Sequence, residues 1–276
     1  MSVLHLSREG GYLHFGLDQC KQTGAHLADS YRSADPFPSI VMDDFLDADV
    51  LRQVLDEFPG RDGVPYFDRA QERLKFQFGP DRFNGPVTRN LLAELNSKPF
   101  LAFLSEMTGI PGLIPDPYFT GGGLHETLAG GHLSVHADFN VHGRMQVERR
   151  LNLLVYLNDD WQEAYGGHLE LWDKKMRAPV RSILPILGRA VIFSTDADSF
   201  HGQPEPVRCP PDRSRRSIAT YYYTAFPSDS IVTPRTTVFK VRPGSTDQTD
   251  WKVRYKHFVA DWVPPKLQNV ARRLVH

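Results

Sequence analysis

The sequence predicts a mainly β fold with flanking helices, and three features carry the prediction. Past Gly121 the chain breaks into short apolar-alternating runs separated by Gly, Pro, Asn and Asp, the pattern of an all-β core. Before that point apolar residues recur at helical spacing. Histidines and an aspartate sit inside the β runs, where a double-sheet architecture gathers them at one mouth. The expected fold is a double-stranded β-helix (jelly-roll, cupin-like) core supported by N-terminal α-helices.

Residues 1–35 show weak periodicity and several polar breaks, which suits an N-terminal arm laid over the surface. In PFPSIVMDDFLDADVLRQVLDEFPG a short strand is expected around Ile40 to Met42. A helix follows from about Asp47 to Phe58, with Val50, Leu51, Val54, Leu55 and Phe58 at helical spacing. Asp47 is placed to cap it and Pro59-Gly60 to stop it. Residues 67–83 are polar and aromatic by turns, with no assignable period. TRNLLAELNSKPFLAFLSEMTG holds two helical pieces, the second opened by Ser97 with Pro99 in its first turn and closed by Gly109. Strands are expected at His132 to Ala137, Arg150 to Leu157, Gly167 to Trp172, Arg189 to Ser194, around His201, and at Ser217 to Thr224. Residues 36–225 then form one unit with its jelly-roll core at about 110–225, and residues 226–276 extend it to a terminal helix at roughly Asn269 to Val275.

Composition narrows the function. Hydrophobic content of 41% with 24% charged residues is that of a globular protein, which excludes disordered and fibrous classes. No apolar run is long enough to span a membrane, and MSVLHLSREGGYLHF lacks the layout of a signal peptide, so a cytoplasmic protein without a membrane partner is expected. Cys20 and Cys209 lie far apart and suggest neither a disulfide framework nor a thiolate metal site. A net charge of -1 provides no basic footprint for nucleic acid, so none is expected as partner. The basic run from Lys252 to Arg273 reads as a solvated helix face or an anion-binding patch, and the assembly as a monomer or homodimer.

Residues i and i+2 of a strand share a face, so His136 and Asp138 of HADFN can hold adjacent positions on one metal. Alone, such a triplet weighs little in a chain with eleven histidines. His168 and Glu170 in GGHLELWD repeat the spacing, but if Leu169 and Leu171 face the core, that pair faces outward. His201, on a late strand, is the candidate second histidine. Two histidines and one carboxylate leave open coordination positions, the arrangement of non-haem Fe(II) oxygenases.

Downstream of HADFN the motifs RRLNLLVYLNDDW, YGGHLELWD, GRAVIFSTDADSFHGQPEPV and RRSIATYYYT follow in order. Over about residues 121–224, with looser similarity at 36–58, the chain resembles the prolyl 4-hydroxylase-like branch of the 2-oxoglutarate and Fe(II)-dependent dioxygenases, including the hypoxia-inducible-factor prolyl hydroxylases. The resemblance implies His136, Asp138 and His201 as iron ligands. It implies Arg215, with Ser217, as the clamp for the distal carboxylate of 2-oxoglutarate, where a planar guanidinium can make two parallel charge-assisted bonds. Arg216 and Arg213 compete, but alternation puts Arg215 and Ser217 with Ala219 and Tyr221, and Arg216 with Ile218 and Thr220. Tyr156 of VYLN matches a tyrosine that joins that arginine, or is a core aromatic; Asn152 shares its face.

Some relatives carry a substrate-side tyrosine where this chain reads LHET, so His125 and Glu126 imply a different substrate contact, as do Phe139 and Asn140 beside the metal. His132 alternates with His136 and is either cavity-facing or structural. The implied chemistry uses Fe(II), 2-oxoglutarate and O2, with ascorbate as a reductant, and releases succinate and CO2. Asp138 argues for hydroxylation or a related oxidation, because halogenating relatives lack that carboxylate. The expected substrate is a small molecule such as an amino acid or natural-product intermediate; the alternatives are a prolyl residue in a protein and, from another class, a non-catalytic cupin-like metal-binding protein, which would have no use for Arg215.

Overall fold

The computed structural model describes residues 2–227 and 232–247. The helix expected at Asn269 to Val275 and the basic run from Lys252 to Arg273 lie outside the described residues. The chain opens with strands β1 (Leu6–Glu9) and β2 (Tyr12–Phe15) and helix α1 (Leu17–Arg32), then β3 (Ser39–Met42) and α2 (Ala48–Asp56). Next come the hairpin β4 (Tyr66–Arg69) and β5 (Glu72–Phe78), helices α3 (Pro86–Glu94) and α4 (Lys98–Thr108), and the short β6 (Ile114–Pro115). The core strands follow: β7 (Gly123–Ala137), β8 (Glu148–Tyr156), β9 (Leu169–Trp172), β10 (Pro179–Ile183), β11 (Ala190–Ser194), β12 (His201–Gln203) and β13 (Ser214–Thr224), with β14 (Val238–Phe239) after them.

The main sheet is antiparallel in the order β10-β9-β12-β7-β13-β8-β11-β3. It curls because β7 serves both layers: residues 123–128 pair with β13, while Leu133 and His136 pair with β12. Along its other edge β7 receives β5 opposite Leu124 to Leu133, then β14 opposite His136 and Ala137. The result is a mainly β fold, backed among the described residues by four α-helices, as the alternation past Gly121 predicts. Strand alternation divides its residues between two environments. Leu151, Leu153, Val155, Ile192, Ile218 and Tyr222 pack with Phe45, Phe100 and Phe103 in the core beneath the helices. Asn152, Leu154, Phe193, Arg215 and Ser217 alternate with them and line a cavity on the other face.

Residues 2–35 do not lie over the surface as an arm. Leu4, Leu6, Leu13, Phe15, Cys20 and Tyr31 are buried in the main core. The sequence hides this because α1 buries a stripe made largely of small residues, Cys20, Gly24 and Ala28 with Tyr31, whose apolar signal is weak. Gly24 is there for close approach: a Cβ would lie 2.4 Å from the Phe103 carbonyl oxygen on α4. Asp47 precedes α2 but makes no side-chain cap; its carboxylate accepts from Ser2 Oγ at 2.7 Å and the Leu6 amide at 3.3 Å, tying down the N-terminal segment. Ser97 likewise makes no side-chain cap bond, whereas Gly109 ends α4 in the left-handed region as expected. No helix among the described residues is long and apolar enough to cross a membrane.

Candidate metal centre and cosubstrate pocket

Late in β7 the chain turns His136 inward, and Asp138 follows just past its end; β12 pairs with β7 so that His201 stands directly opposite His136. Gly202 permits this pairing, since a Cβ there would lie 2.9 Å from the Leu133 and Ser134 carbonyl oxygens. The three side chains are buried, with one donor atom from each within 4.8 Å of the others. His136 Nε2 lies 3.6 Å from Asp138 Oδ1, and His201 Nε2 lies 3.4 Å from Asp138 Oδ2. Donors side by side on a metal at about 2.1 Å are about 3 Å apart, so modest contraction would close the set on one ion.

The hydrogen bonds behind these groups suit a metal. His136 Nδ1 meets the Ser134 carbonyl at 2.8 Å and His201 Nδ1 meets the Ser199 carbonyl at 3.0 Å. A carbonyl only accepts, so each Nδ1 carries the proton and each Nε2 lone pair is left for the metal. Burial pushes His201 down to about 4, partly opposed by Asp138, which keeps the imidazole neutral. Burial alone would raise the Asp138 carboxyl; the Arg149 guanidinium and the two histidines instead hold it well below the usual carboxylate range. Two imidazoles and one carboxylate, all deprotonated at the donor atom, match what Fe(II) takes in a facial set.

Arg215 and Ser217 line the same cavity as the three candidate ligands. Arg215 Nε donates to the Gly167 carbonyl at 2.7 Å, and Nη2 donates to Tyr156 Oη at 3.3 Å, with the guanidinium 4.9 Å above the Tyr156 ring. Tyr156 is fully buried beneath Arg215 and does not itself line the cavity; it braces the guanidinium from behind. Arg216 points the other way, over Phe58 and onto Glu126 at 3.1 Å.

His125 and Phe139 line the cavity, and the buried His125 Nε2 has no hydrogen-bond partner. Burial, reinforced by nearby Lys75, lowers His125 well below the ordinary imidazole value. Two expected substrate contacts lie elsewhere. Glu126 alternates away from His125 and holds Arg61, Arg216 and Ser214 on the outer face. Asn140 turns from the cavity to receive the returning chain, accepting from the Arg235 amide at 2.6 Å and donating to the Thr233 carbonyl at 3.0 Å. His132 bonds the Ala70 carbonyl at 3.0 Å, because the register of β7 shifts before His136 and breaks the alternation that would align the two. His168 pairs with Glu163 and Glu170 accepts from Trp172, while Leu169 faces the cavity.

Sequence reasoning missed Arg149. It is buried, its Nη2 is 3.1 Å from Asp138 Oδ2, and it lies 3.5 Å over the Tyr221 ring. Its Nε and Nη2 donate to Asn152 Oδ1 at 2.9 and 2.7 Å, and Asn152 Nδ2 donates to Asp138 Oδ2 at 2.7 Å. Counting alternate residues back from Asn152 selects Arg150 instead; a bulge where Tyr222 and Tyr223 pair with Leu151 and Arg149 turns Arg149 inward. Lys75 of β5 and Arg235 and Phe239 of the returning segment also line the cavity, and no local period marked them.

Residues 122–223 match the 2OG-Fe(II) oxygenase superfamily. No curated protein matches the chain. Among solved structures, a prolyl-4-hydroxylase from Pseudomonas putida is 19% identical, with 74% of this chain and 100% of that one covered at a TM-score of 0.51. A prolyl hydroxylase from Trichoplax adhaerens, in complex with a hypoxia inducible factor oxygen degradation domain peptide fragment, is 18% identical over 75% of this chain and 91% of that one, TM-score 0.53. A prolyl 4-hydroxylase from Phytophthora capsici is 18% identical over 93% and 76%, TM-score 0.52. At these identities the structures speak for a shared fold, and the match over residues 122–223 for the chemistry. The chain carries a 2OG-Fe(II) oxygenase superfamily domain on a prolyl 4-hydroxylase-like fold and is a 2-oxoglutarate- and Fe(II)-dependent dioxygenase.

Proposed function

We propose that His136, Asp138 and His201 hold Fe(II), that Arg215 with Ser217 binds the distal carboxylate of 2-oxoglutarate, and that the enzyme hydroxylates or otherwise oxidises an unactivated C–H bond of a small molecule. The observation that carries this reading is the convergence of the three donors and the Tyr156-braced Arg215 on one cavity. Bound there, Fe(II) and 2-oxoglutarate supply O2 activation, with succinate and CO2 as by-products. The chain supplies position. Asn152 and Arg149 fix the Asp138 carboxylate, and the Ser134 and Ser199 carbonyls fix the two imidazoles. Phe193 against His201 and Phe239 against His136, at 4.6 and 5.5 Å between ring centres, shield the imidazoles from water.

A cavity of about 630 Å³ is of the size that accepts an amino acid or natural-product intermediate. The second reading, a prolyl residue in a protein or peptide, is favoured by the fold shared with prolyl hydroxylases, one of them peptide-bound. Anaerobic addition of Fe(II) and 2-oxoglutarate should produce a visible metal-to-ligand charge-transfer band, and air should then yield succinate. Absence of both overturns the cofactor assignment. Succinate release across small molecules and proline-containing peptides, followed by mass analysis for an added oxygen, decides between the two substrate classes.

A further inference from the structure

The chain carries a net charge of -1, yet its cavity is strongly cationic. Among the described residues five arginine or lysine side chains line it against two carboxylates, Glu72 and Asp138. Fe(II) and the 2-oxoglutarate dianion cancel one another, so the loaded cavity would keep an excess of three positive charges.

The excess is concentrated along one edge of β7, where β5 and then β14 pair end to end. On the β4–β5 hairpin Lys75 and Arg69 share a single carboxylate, Glu72, at 2.8 and 3.3 Å. Arg235, three residues before β14, has no carboxylate partner among the described residues. Its Nη2 donates to the Asp138 and Asp196 carbonyls at 3.0 and 3.3 Å, and its buried Nε has no hydrogen-bond partner. Arg235 is half-buried in the cavity wall, and with its Nε unpartnered it is free to donate a charge-assisted hydrogen bond to an anion arriving from solvent.

We propose that the substrate of this site carries an anionic group, a carboxylate or a phosphate, received by the cationic rim that Lys75 and Arg235 form along β7. This rests on the cofactor reading above, which places Fe(II) and 2-oxoglutarate in the same cavity. It names the substrate class that the reading leaves open, and a neutral ligand of the same shape is discriminated against.

Ligand-observed NMR tests it with benzoate, phenyl phosphate and benzamide as probes, on the full chain loaded anaerobically with Fe(II) and saturating 2-oxoglutarate. Proximity to the paramagnetic ion broadens the aromatic signals of a probe bound in the cavity. The expected result is broadening of benzoate or phenyl phosphate but not of benzamide, the stronger of the two identifying the anion. Lys75→Gln and Arg235→Gln should each weaken that probe at least about fivefold, the loss of one charge-assisted contact. Equal broadening of benzamide, no broadening of either anion, or undiminished binding by Lys75→Gln overturns the proposal. If Arg235→Gln fails to fold, Lys75→Gln decides alone. Signals of 2-oxoglutarate report separately: if they are not broadened the cofactor reading fails, whereas broadened 2-oxoglutarate without preference for anions sinks this proposal only.

Discussion

The Asp138 carboxylate meets His136, His201, Asn152 and Arg149 within 3.6 Å, so its two oxygens are oriented before any metal arrives. Asn152→Ala removes the direct bond and the link to Arg149, and should lower Fe(II) affinity about 10- to 100-fold while the protein stays folded, measured by metal titration. Arg215→Lys replaces a planar fork by a point charge and should raise the KM for 2-oxoglutarate by about tenfold or more. Arg216→Ala should leave that KM unchanged, because Arg216 lies on the outer face. This pair was legible in the sequence: alternation along RRSIATYY separates Arg215 from Arg216 without reference to any other strand. Arg149 was not legible, because the bulge that turns it inward depends on how β8 meets β13.

At the scale of elements, the same sheet packs helices on one face and lines the cavity on the other, so stability and function respond to different residues. Phe100 is fully buried among Phe15, Phe45, Phe103 and Tyr222; Phe100→Ala should cost about 3–5 kcal/mol in chemical denaturation. Glu126 joins the loop at Arg61 to β13 through Arg216 and Ser214. Its partners are partly exposed and can recover water, so Glu126→Ala should cost only about 1–2 kcal/mol and leave the KM for 2-oxoglutarate within about twofold. The central helices and core strands were readable because their apolar periods are long and pure. The hairpin β4–β5 escaped because its polar and aromatic residues serve the cavity wall rather than a uniform core, and α1 because its buried stripe is made mostly of small residues.

For the whole molecule, the buried neutral histidines tie stability to pH. His201 stands at about 4 against an ordinary 6.5, and His125 is lowered in the same sense. The unfolded chain therefore takes up protons that the folded chain refuses, so stability falls as pH drops from about 6.5 toward 4, with His201 contributing on the order of 3 kcal/mol. The depressed Asp138 acts only at lower pH, below its ordinary value. Denaturation of the metal-free protein across this range should show the loss, His201→Gln should flatten it, and Fe(II) loading should offset it because metal binds the same lone pairs as the protons. A metal-free protein equally stable at both ends of the range would refute the assignment.

By itself the sequence determined the β core, the helices that back it, the inward parity of Asn152, Arg215 and Ser217, and the candidate triad His136, Asp138 and His201. These follow from local periods of 2.0 and 3.6 residues and from one recognisable run of motifs. Tertiary structure alone decided that Arg149 meets Asp138, that Glu126 and Asn140 turn away from the cavity, and that Lys75 and Arg235 rise along one edge of β7. Each of these depends on a bulge, or on pairing between segments far apart in the chain. Such register is set by contacts with another strand, so no pattern along a single strand records it.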